Sequence, residues 1–226
     1  MDVLVTGASR GIGAAVAEAF GERGAHVVCC ARSEAALEER AEAVRAAGGT
    51  ATVAVADVRD EEAVFEAVAG AVESGDTGAL DVVVATAGVN PTEPGAMPVT
   101  EERYGNLDSA LATNVRGLFA TLREAVAVMP EDGRVLVPSG SVAREPTEGM
   151  GAYAVSKAGA EGVVRGFAAD TAQAVGLVYP GIVATDVTGG RGRDPESVAG
   201  LFVWAATECP AEQLDGEVVD LRDWRG

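Results

Sequence analysis

A tyrosine and the chain's single lysine stand four residues apart, in Tyr153-Ala-Val-Ser-Lys157. On a helix, residues i and i+4 share a face, so the phenol and the ammonium would point the same way. A free phenol titrates near 10 and is a poor base at neutral pH. A cation fixed beside it lowers that value and lets it exchange a proton with a bound oxygen. Lys157 is the one lysine among 17 basic residues, the rest being arginine, so its position calls for a reason.

A second constellation lies near the start, where Thr6-Gly7-Ala8-Ser9-Arg10-Gly11-Ile12-Gly13 separates an apolar run from a stretch of small and apolar residues. As strand, turn and helix, Gly7, Ser9, Arg10, Gly11, Ile12 and Gly13 form a cradle for a dinucleotide pyrophosphate. The glycines allow a tight turn and close backbone approach, while the helix N-terminus supplies free N–H groups and a positive dipole end. The spacing is Gly-x3-Gly-x-Gly rather than Gly-x-Gly-x-x-Gly, so its place between strand and helix carries the assignment.

NAD-selective sites set an acid for the ribose 2′-hydroxyl at the end of the second strand; here that place reads Cys30-Ala31-Arg32-Ser33. No carboxylate stands at the tip, and Arg32 with Arg10 can clamp a 2′-phosphate, with Ser33 alongside. NADP(H) is therefore the preferred cofactor. NAD(H) stays open as the alternative because Glu34 follows, although the helix dipole alone also favours an acid there.

The elements that must hold these groups follow from periodicity. Short apolar runs alternate with longer alanine-rich amphipathic stretches, the βαβα pattern of a parallel sheet covered on both faces. Strands are predicted over Asp2–Thr6, Ala25–Ala31, Thr50–Ala56, Leu80–Thr86, Arg134–Pro138, Ala174–Tyr179 and Gly216–Leu221. Helices are predicted over Gly13–Arg23, Ser33–Ala47, Glu61–Glu73, Thr100–Met129 with a break near Asp108, Tyr153–Thr171 and Pro195–Thr207. The fold class is α/β: a Rossmann-like, doubly wound sheet of seven parallel strands with helices on both faces, in a single domain over residues 1–226. The Gly/Pro-rich pieces at 88–98 and 188–195 read as loops over a site.

Composition narrows the function classes. The 35 acidic residues against 17 basic ones give a net charge of -18 spread along the whole chain, which leaves no basic face for nucleic acid. With 48% hydrophobic residues the chain can still bury a core. An acidic skin suits a high-salt cytosol, where self-repulsion is screened, so a halophilic, cytoplasmic protein is expected. No apolar stretch is long enough to span a membrane, and a chain without a leader ahead of the first strand is expected. Cys29, Cys30 and Cys209 lack CxxC spacing and read as reduced, buried thiols. The one histidine, His26, opens a buried strand; it reads as structural, and no metal site is expected.

Together, Thr6–Gly13, Tyr153 with Lys157, Asn114 in Thr-Asn-Val-Arg-Gly, and Pro180-Gly181 with Thr185 resemble the classical short-chain dehydrogenase/reductase family, over essentially the whole chain. The resemblance implies hydride transfer between a nicotinamide and a small-molecule carbonyl or secondary alcohol, of the 3-oxoacyl-reductase or general carbonyl-reductase type. It implies that Tyr153 gives or takes the hydroxyl proton, that Lys157 holds the nicotinamide ribose and depresses the tyrosine, and that Asn114 holds a proton-relaying water. A serine at the end of the fifth strand would bond the substrate oxygen. Asp57 and Val58 would flank the adenine and Ala87 and Gly88 the ribose. Ile182, Val183 and Thr185, after Pro180-Gly181, would meet the carboxamide. A homodimer or homotetramer would pack through the 100–129 and 153–171 helices, where Ala154, Ala158, Gly162 and Gly166 form a small-residue face that would equally suit packing on the sheet.

The chain departs from the family in three places. The family's serine stands thirteen residues before the tyrosine, which here is Gly140, flanked by Ser139 and Ser141. Pro138 lacks a ladder donor and fits only the last rung of a strand, which favours Ser139 and keeps Ser141 as a candidate. Thr86-Ala87-Gly88 stands where the family commonly carries Asn-Ala-Gly; threonine still bonds locally, so altered stability rather than lost chemistry is expected. The segment between Thr185 and Pro195 is short for a lid, which implies an open cleft. Two rival readings are a dinucleotide-sensing protein without turnover and an epimerase or dehydratase that retains its cofactor.

Overall fold

The computed structural model describes residues Met1–Gly226. Seven strands, β1 (Asp2–Thr6), β2 (His26–Ala31), β3 (Thr50–Val55), β4 (Val82–Ala85), β5 (Arg134–Pro138), β6 (Ala174–Tyr179) and β7 (Val218–Asp220), form one sheet in the order β3-β2-β1-β4-β5-β6-β7. Every pairing is parallel. The order reverses between β1 and β4, the switch point where a doubly wound sheet opens a crevice at the carboxyl ends of its strands.

Helices α1 (Gly11–Gly21), α2 (Glu34–Ala47) and α7 (Glu196–Thr207) cover one face; α3 (Glu61–Ser74), α5 (Leu118–Val126) and α6 (Gly151–Asp170) cover the other. Successive strand side chains point to opposite faces, so each strand feeds two cores and must be apolar throughout. Val3, Val5, Val27, Cys29, Val82 and Val84 meet Val16 and Phe20 of α1 and Phe202 of α7. Their neighbours Leu4, Val28, Cys30, Val83, Val135 and Val137 meet Val68, Leu122 and Val164 on the other side. Gly48 ends α2 at φ 110, and the Asp60 carboxylate opens α3 by accepting from the N–H groups of Glu62 (3.1 Å) and Ala63 (3.3 Å).

The predicted helix over 100–129 is not one helix broken at Asp108. It consists of α4 (Tyr104–Leu111), a wider π turn over Ala112–Gly117, and α5, which ends at Val126. Gly117 is the tight point of that turn, since a Cβ there would lie 2.7 Å from Val58 Cγ2. Such single π turns concentrate at functional sites, and this one carries Asn114. Helix α1 begins at Gly11 and α6 at Gly151, both two residues earlier than predicted. The short α8 (Ala211–Leu214) and α9 (Leu221–Arg225) escape a periodicity argument because neither completes two turns.

His26 is structural: Nδ1 lies 3.0 Å from Asp2 Oδ1 and Nε2 3.0 Å from Thr52 Oγ1. The three thiols are free and buried, and burial pushes Cys29 up to about 11 and Cys30 up to about 12. No helix is long and apolar enough to cross a membrane. The α6 face of Gly162 and Gly166 turns outward, with nothing within 4 Å of an added Cβ, rather than against the sheet.

Candidate active site

The turn after β1 is built for close approach. Gly7 (φ 73) and Gly11 (φ 57) hold left-handed conformations. A Cβ on Gly7 would sit 2.8 Å from the Ala87 nitrogen, and one on Gly13 would strike the Gly7 carbonyl and the Thr86 hydroxyl. Arg10, the residue before α1, is extended and gives no side-chain cap, so the N–H groups of Gly11, Ile12 and Gly13 have no partner within the helix. A pyrophosphate suits this cradle in charge and in space.

At the end of β2, exposed Arg32 makes no ion pair, and Ser33 stands before α2 without spending its hydroxyl on a cap. Arg10 differs from the expected clamp. Its Nε lies 3.1 Å from Asp186 Oδ2, both side chains being 71% exposed, so the two arginines are not preassembled. Arg59, which sequence reasoning passed over, chelates Asp57 through Nε (3.0 Å) and Nη2 (2.5 Å) and holds that carboxyl below its ordinary value.

Tyr153 and Lys157 stand on consecutive turns of α6 and both line the cleft. Burial pushes the phenol up to about 12. Burial also pushes the lysine down to about 8, against a smaller opposing pull from Glu161. The Lys157 ammonium donates to the Pro138 carbonyl at 2.7 Å. Burial is the cause that acts on the phenol here, while the ammonium is engaged at the end of β5.

Asn114 is 4% exposed and its amide is fully committed. Nδ2 donates to the Val89 carbonyl and to Ser156 Oγ, and Oδ1 accepts from the Val89 N–H, each at 2.8 Å. Ser156 Oγ in turn donates to the Tyr153 carbonyl at 2.8 Å, so Asn114 staples the loop after β4 to α6. Thr86 does not bond locally: its hydroxyl donates across the sheet to the Thr6 carbonyl at the end of β1, at 2.5 Å.

Pro138 is the last rung of β5, and the two serine candidates then part company. Ser139 is buried and its hydroxyl donates to Glu161 Oε1 at 2.9 Å. Ser141 is exposed at the start of a short turn, Ser141–Ala143, on the cleft wall. Glu161 was invisible to motif reasoning; its only signal was an acid one turn beyond Lys157 beside apolar Ala160 and Val164.

Apart from Glu34, the alternative ribose contact, every residue named above for catalysis or cofactor binding lines one cleft of about 1650 Å³. Val89, Arg59, Tyr179, Arg193 and Arg222 join them. The short 185–195 segment braces itself, with Thr188 Oγ1 donating to the Val183 carbonyl (2.6 Å) and Arg191 Nη2 to the Pro94 carbonyl (3.0 Å). It leaves Ile182 68% exposed, in keeping with an open cleft.

The model of the short chain dehydrogenase family matches residues 2–196. The chain belongs to that family. It is similar to versicolorin reductase 1 of Aspergillus parasiticus, 39% identical over 191 residues that cover 81% of this chain and 70% of that protein. It is also similar to a cyclic-di-GMP-binding biofilm dispersal mediator protein of Escherichia coli, 33% identical over 225 residues, 90% of this chain and 88% of that one. Among solved structures, a short chain dehydrogenase from Burkholderia cenocepacia in complex with NADP matches with a TM-score of 0.84 at 28% identity, covering 97% of this chain and 95% of that chain. As a short-chain dehydrogenase the protein is an oxidoreductase, and its cleft serves small molecules.

Proposed function

We propose that this short-chain dehydrogenase is an NADPH-dependent reductase of a small ketone or aldehyde. One observation carries the reading: Tyr153 and Lys157 open onto the same cleft as the glycine cradle and the unpaired Arg32. Gly7, Ser9, Gly11, Ile12 and Gly13 would hold the pyrophosphate, and Arg32 and Ser33 the 2′-phosphate, joined by Arg10 once it leaves Asp186. Asp57 and Val58 would flank the adenine, Ala87 and Gly88 the ribose, and Pro180, Gly181, Val183 and Thr185 the carboxamide. The bound cofactor supplies a hydride to the carbonyl carbon.

Tyr153 gives its proton to the carbonyl oxygen as charge develops there. Burial keeps the phenol protonated before reaction, so in reduction it starts as the acid. Lys157, on leaving Pro138, holds the ribose hydroxyls and sets its charge beside the forming phenolate. Ser141 donates the second hydrogen bond to the substrate oxygen, because the Ser139 hydroxyl is spent on Glu161. Asn114 acts by holding the loop after β4 against α6.

The test is to measure dissociation constants for NADPH and NADH in molar KCl by nicotinamide fluorescence, then NADPH oxidation across a panel of carbonyl compounds. Tighter NADPH binding with turnover is expected. Tighter NADH binding would transfer the ribose contact to Glu34. Binding of either cofactor without turnover would favour a second reading, a dinucleotide-sensing protein, which the likeness to a cyclic-di-GMP-binding protein supports. The chain's -18 charge separately supports a salt-rich cytoplasm, where that charge would be screened. A homo-oligomer through α5 and α6 is supported by exposed Phe119 (49%) and Val155 (46%) and by the open Gly162 and Gly166.

A further inference from the structure

A buried carboxylate sits one helical turn beyond Lys157. Glu161 is 1% exposed, yet its hydrogen-bond partners arrive from separate segments of the chain. Ser139 Oγ, just past β5, donates to Oε1 at 2.9 Å, and Arg144 Nε donates to Oε2 at 2.6 Å. The Tyr179 hydroxyl, at the end of β6, also donates to Oε1, and Arg165 Nη1 lies 3.6 Å from Oε2 on the same helix. Burial alone would raise this carboxyl; the bonds from Tyr179, Arg144 and Ser139 outweigh it and hold it below its ordinary value.

The two side chains that reach Glu161 from the loop after β5 bracket Ser141, one from two residues before it and one from three residues after. The backbone closes the turn on itself, the Arg144 and Glu145 N–H groups donating to the Ser141 carbonyl (2.9 and 2.7 Å), and the Ser139 N–H donates to the Val178 carbonyl (2.9 Å), but no other side-chain hydrogen bond ties Ser141 to its surroundings. Ser141–Ala143 has no side-chain cap, Ser141 is exposed, and an added Cβ at Gly140 would meet nothing within 4 Å. The neighbouring Pro138 carbonyl is held from the same helix by Lys157, so positions 138 and 139 dock on successive turns of α6.

We infer that Glu161 is the positioning residue for Ser141: its two carboxylate oxygens clamp both ends of the Ser139–Arg144 turn and, through Tyr179, seat it beside the Pro180-Gly181 wall. The inference rests on the proposal that Ser141 meets the substrate oxygen. It also accounts for the shifted serine, since a clamp that grips Ser139 and Arg144 sets the hydroxyl by anchoring the turn rather than by its spacing from Tyr153.

The test is a double-mutant cycle with Glu161→Leu and Ser141→Ala, read as kcat and KM on a carbonyl substrate that wild type reduces, together with amide hydrogen exchange over residues 139–150. Glu161→Leu in the wild-type background is expected to lower kcat roughly 10- to 100-fold with the KM for NADPH unchanged, the loss that follows when one donor is misplaced. In the Ser141→Ala background the same change should cost less than about twofold, because the interaction it serves has already gone. Exchange should rise over 140–145 and not in the core of α6.

An equal loss with and without Ser141 would overturn the inference, as would unchanged exchange in the turn. If the leucine variant does not accumulate folded, Ser139→Ala with Arg144→Ala releases both tethers from the loop side and must show the same dependence on Ser141. A wild-type protein that reduces no carbonyl would sink the reductase reading and the role of Ser141 with it, whereas the exchange measurement judges the clamp on its own.

Discussion

The sheet carries a buried polar cluster at each of its ends, and the two are finished differently. At the amino end of the strands, fully buried Asp2 accepts from Thr77 Oγ1 (2.8 Å), from the N–H groups of Asp76 and Thr77 (3.3 Å each) and bonds His26 (3.0 Å), which reaches on to Thr52. At the carboxyl end the Thr6 hydroxyl is buried without a partner, Tyr153 offers a phenol that nothing accepts from, and Lys157 has one carbonyl. A polar network that is complete rigidifies; one that is incomplete is costly by itself and is where ligand atoms can finish the pairing. Titratable groups are buried at both ends, so burial does not separate structure from function here. Unmet bonds instead mark the groups that would meet ligand atoms directly, Tyr153 and Lys157, while the fully bonded Glu161 and Asn114 at the same end act by positioning.

That contrast is sharpest in two substitutions. Tyr153→Phe removes a hydroxyl with no partner, so unfolding free energy should stay within about 0.5 kcal/mol of wild type and NADPH affinity within about twofold, while kcat falls roughly 10³-fold. A variant that keeps full turnover would end the assignment of Tyr153 as the proton donor. Asp2→Ala should do the reverse, costing about 3 kcal/mol in urea unfolding at neutral pH by orphaning Thr77 and His26, with cofactor binding unchanged. Burial would raise the Asp2 carboxyl, but bonds from Thr77 and His26 and from the N–H groups of Asp76 and Thr77 bring it below 3.8. A carboxyl lowered on folding stabilises above its unfolded value and loses that contribution as pH falls through the folded one. The gap between Asp2→Ala and wild type should therefore narrow in acid; a constant gap would mean that the charge plays no part.

Much of this was legible in the sequence because it rests on local order. Val3 to Thr6, the glycine turn and the Tyr153–Lys157 pair each declare themselves within eight residues, through apolar runs, backbone freedom and helical spacing. What stayed hidden depends on segments that only the topology brings together. Glu161 collects Ser139 from 22 residues away and Arg144 from 17, and Arg10 finds Asp186 across the cleft. The choice between Ser139 and Ser141 could not be read from spacing, because spacing does not say which hydroxyl is already engaged. The π turn at Ala112–Gly117 was misread as a break near Asp108 because one widened turn barely disturbs a hydrophobic period.

The cofactor end allows a smaller test of the same contrast. Arg32 has no protein partner, so Arg32→Glu should leave stability unchanged but weaken NADPH binding about 10- to 100-fold, the worth of a charge-assisted bond to phosphate, and affect NADH far less. Equal losses for both cofactors in a fluorescence titration would place the 2′-phosphate elsewhere.

The subtlest expectation concerns Lys157, where incompleteness should register as instability. Its folded value of about 8 lies below the ordinary 10.5, so between those values the unfolded chain binds more protons than the folded one, and stability rises with pH across that window. The same shift means that at pH 7 the folded protein carries an unfavourably buried charge. Lys157→Met keeps the length and removes the charge, so its melting temperature at pH 7 should exceed that of wild type by a few degrees even as turnover is lost. The difference should shrink as pH climbs past 8, because wild type then sheds the proton that the variant never had. Tyr153 and Tyr179 are pushed up to about 12 and titrate in both proteins alike, so they cancel from the comparison. Thermal melts at pH 7 and pH 9.5 decide the matter: a difference independent of pH would mean that the lysine is accommodated as fully as Asp2 is, and the division between a finished and an unfinished end of the sheet would fail at its most buried cation.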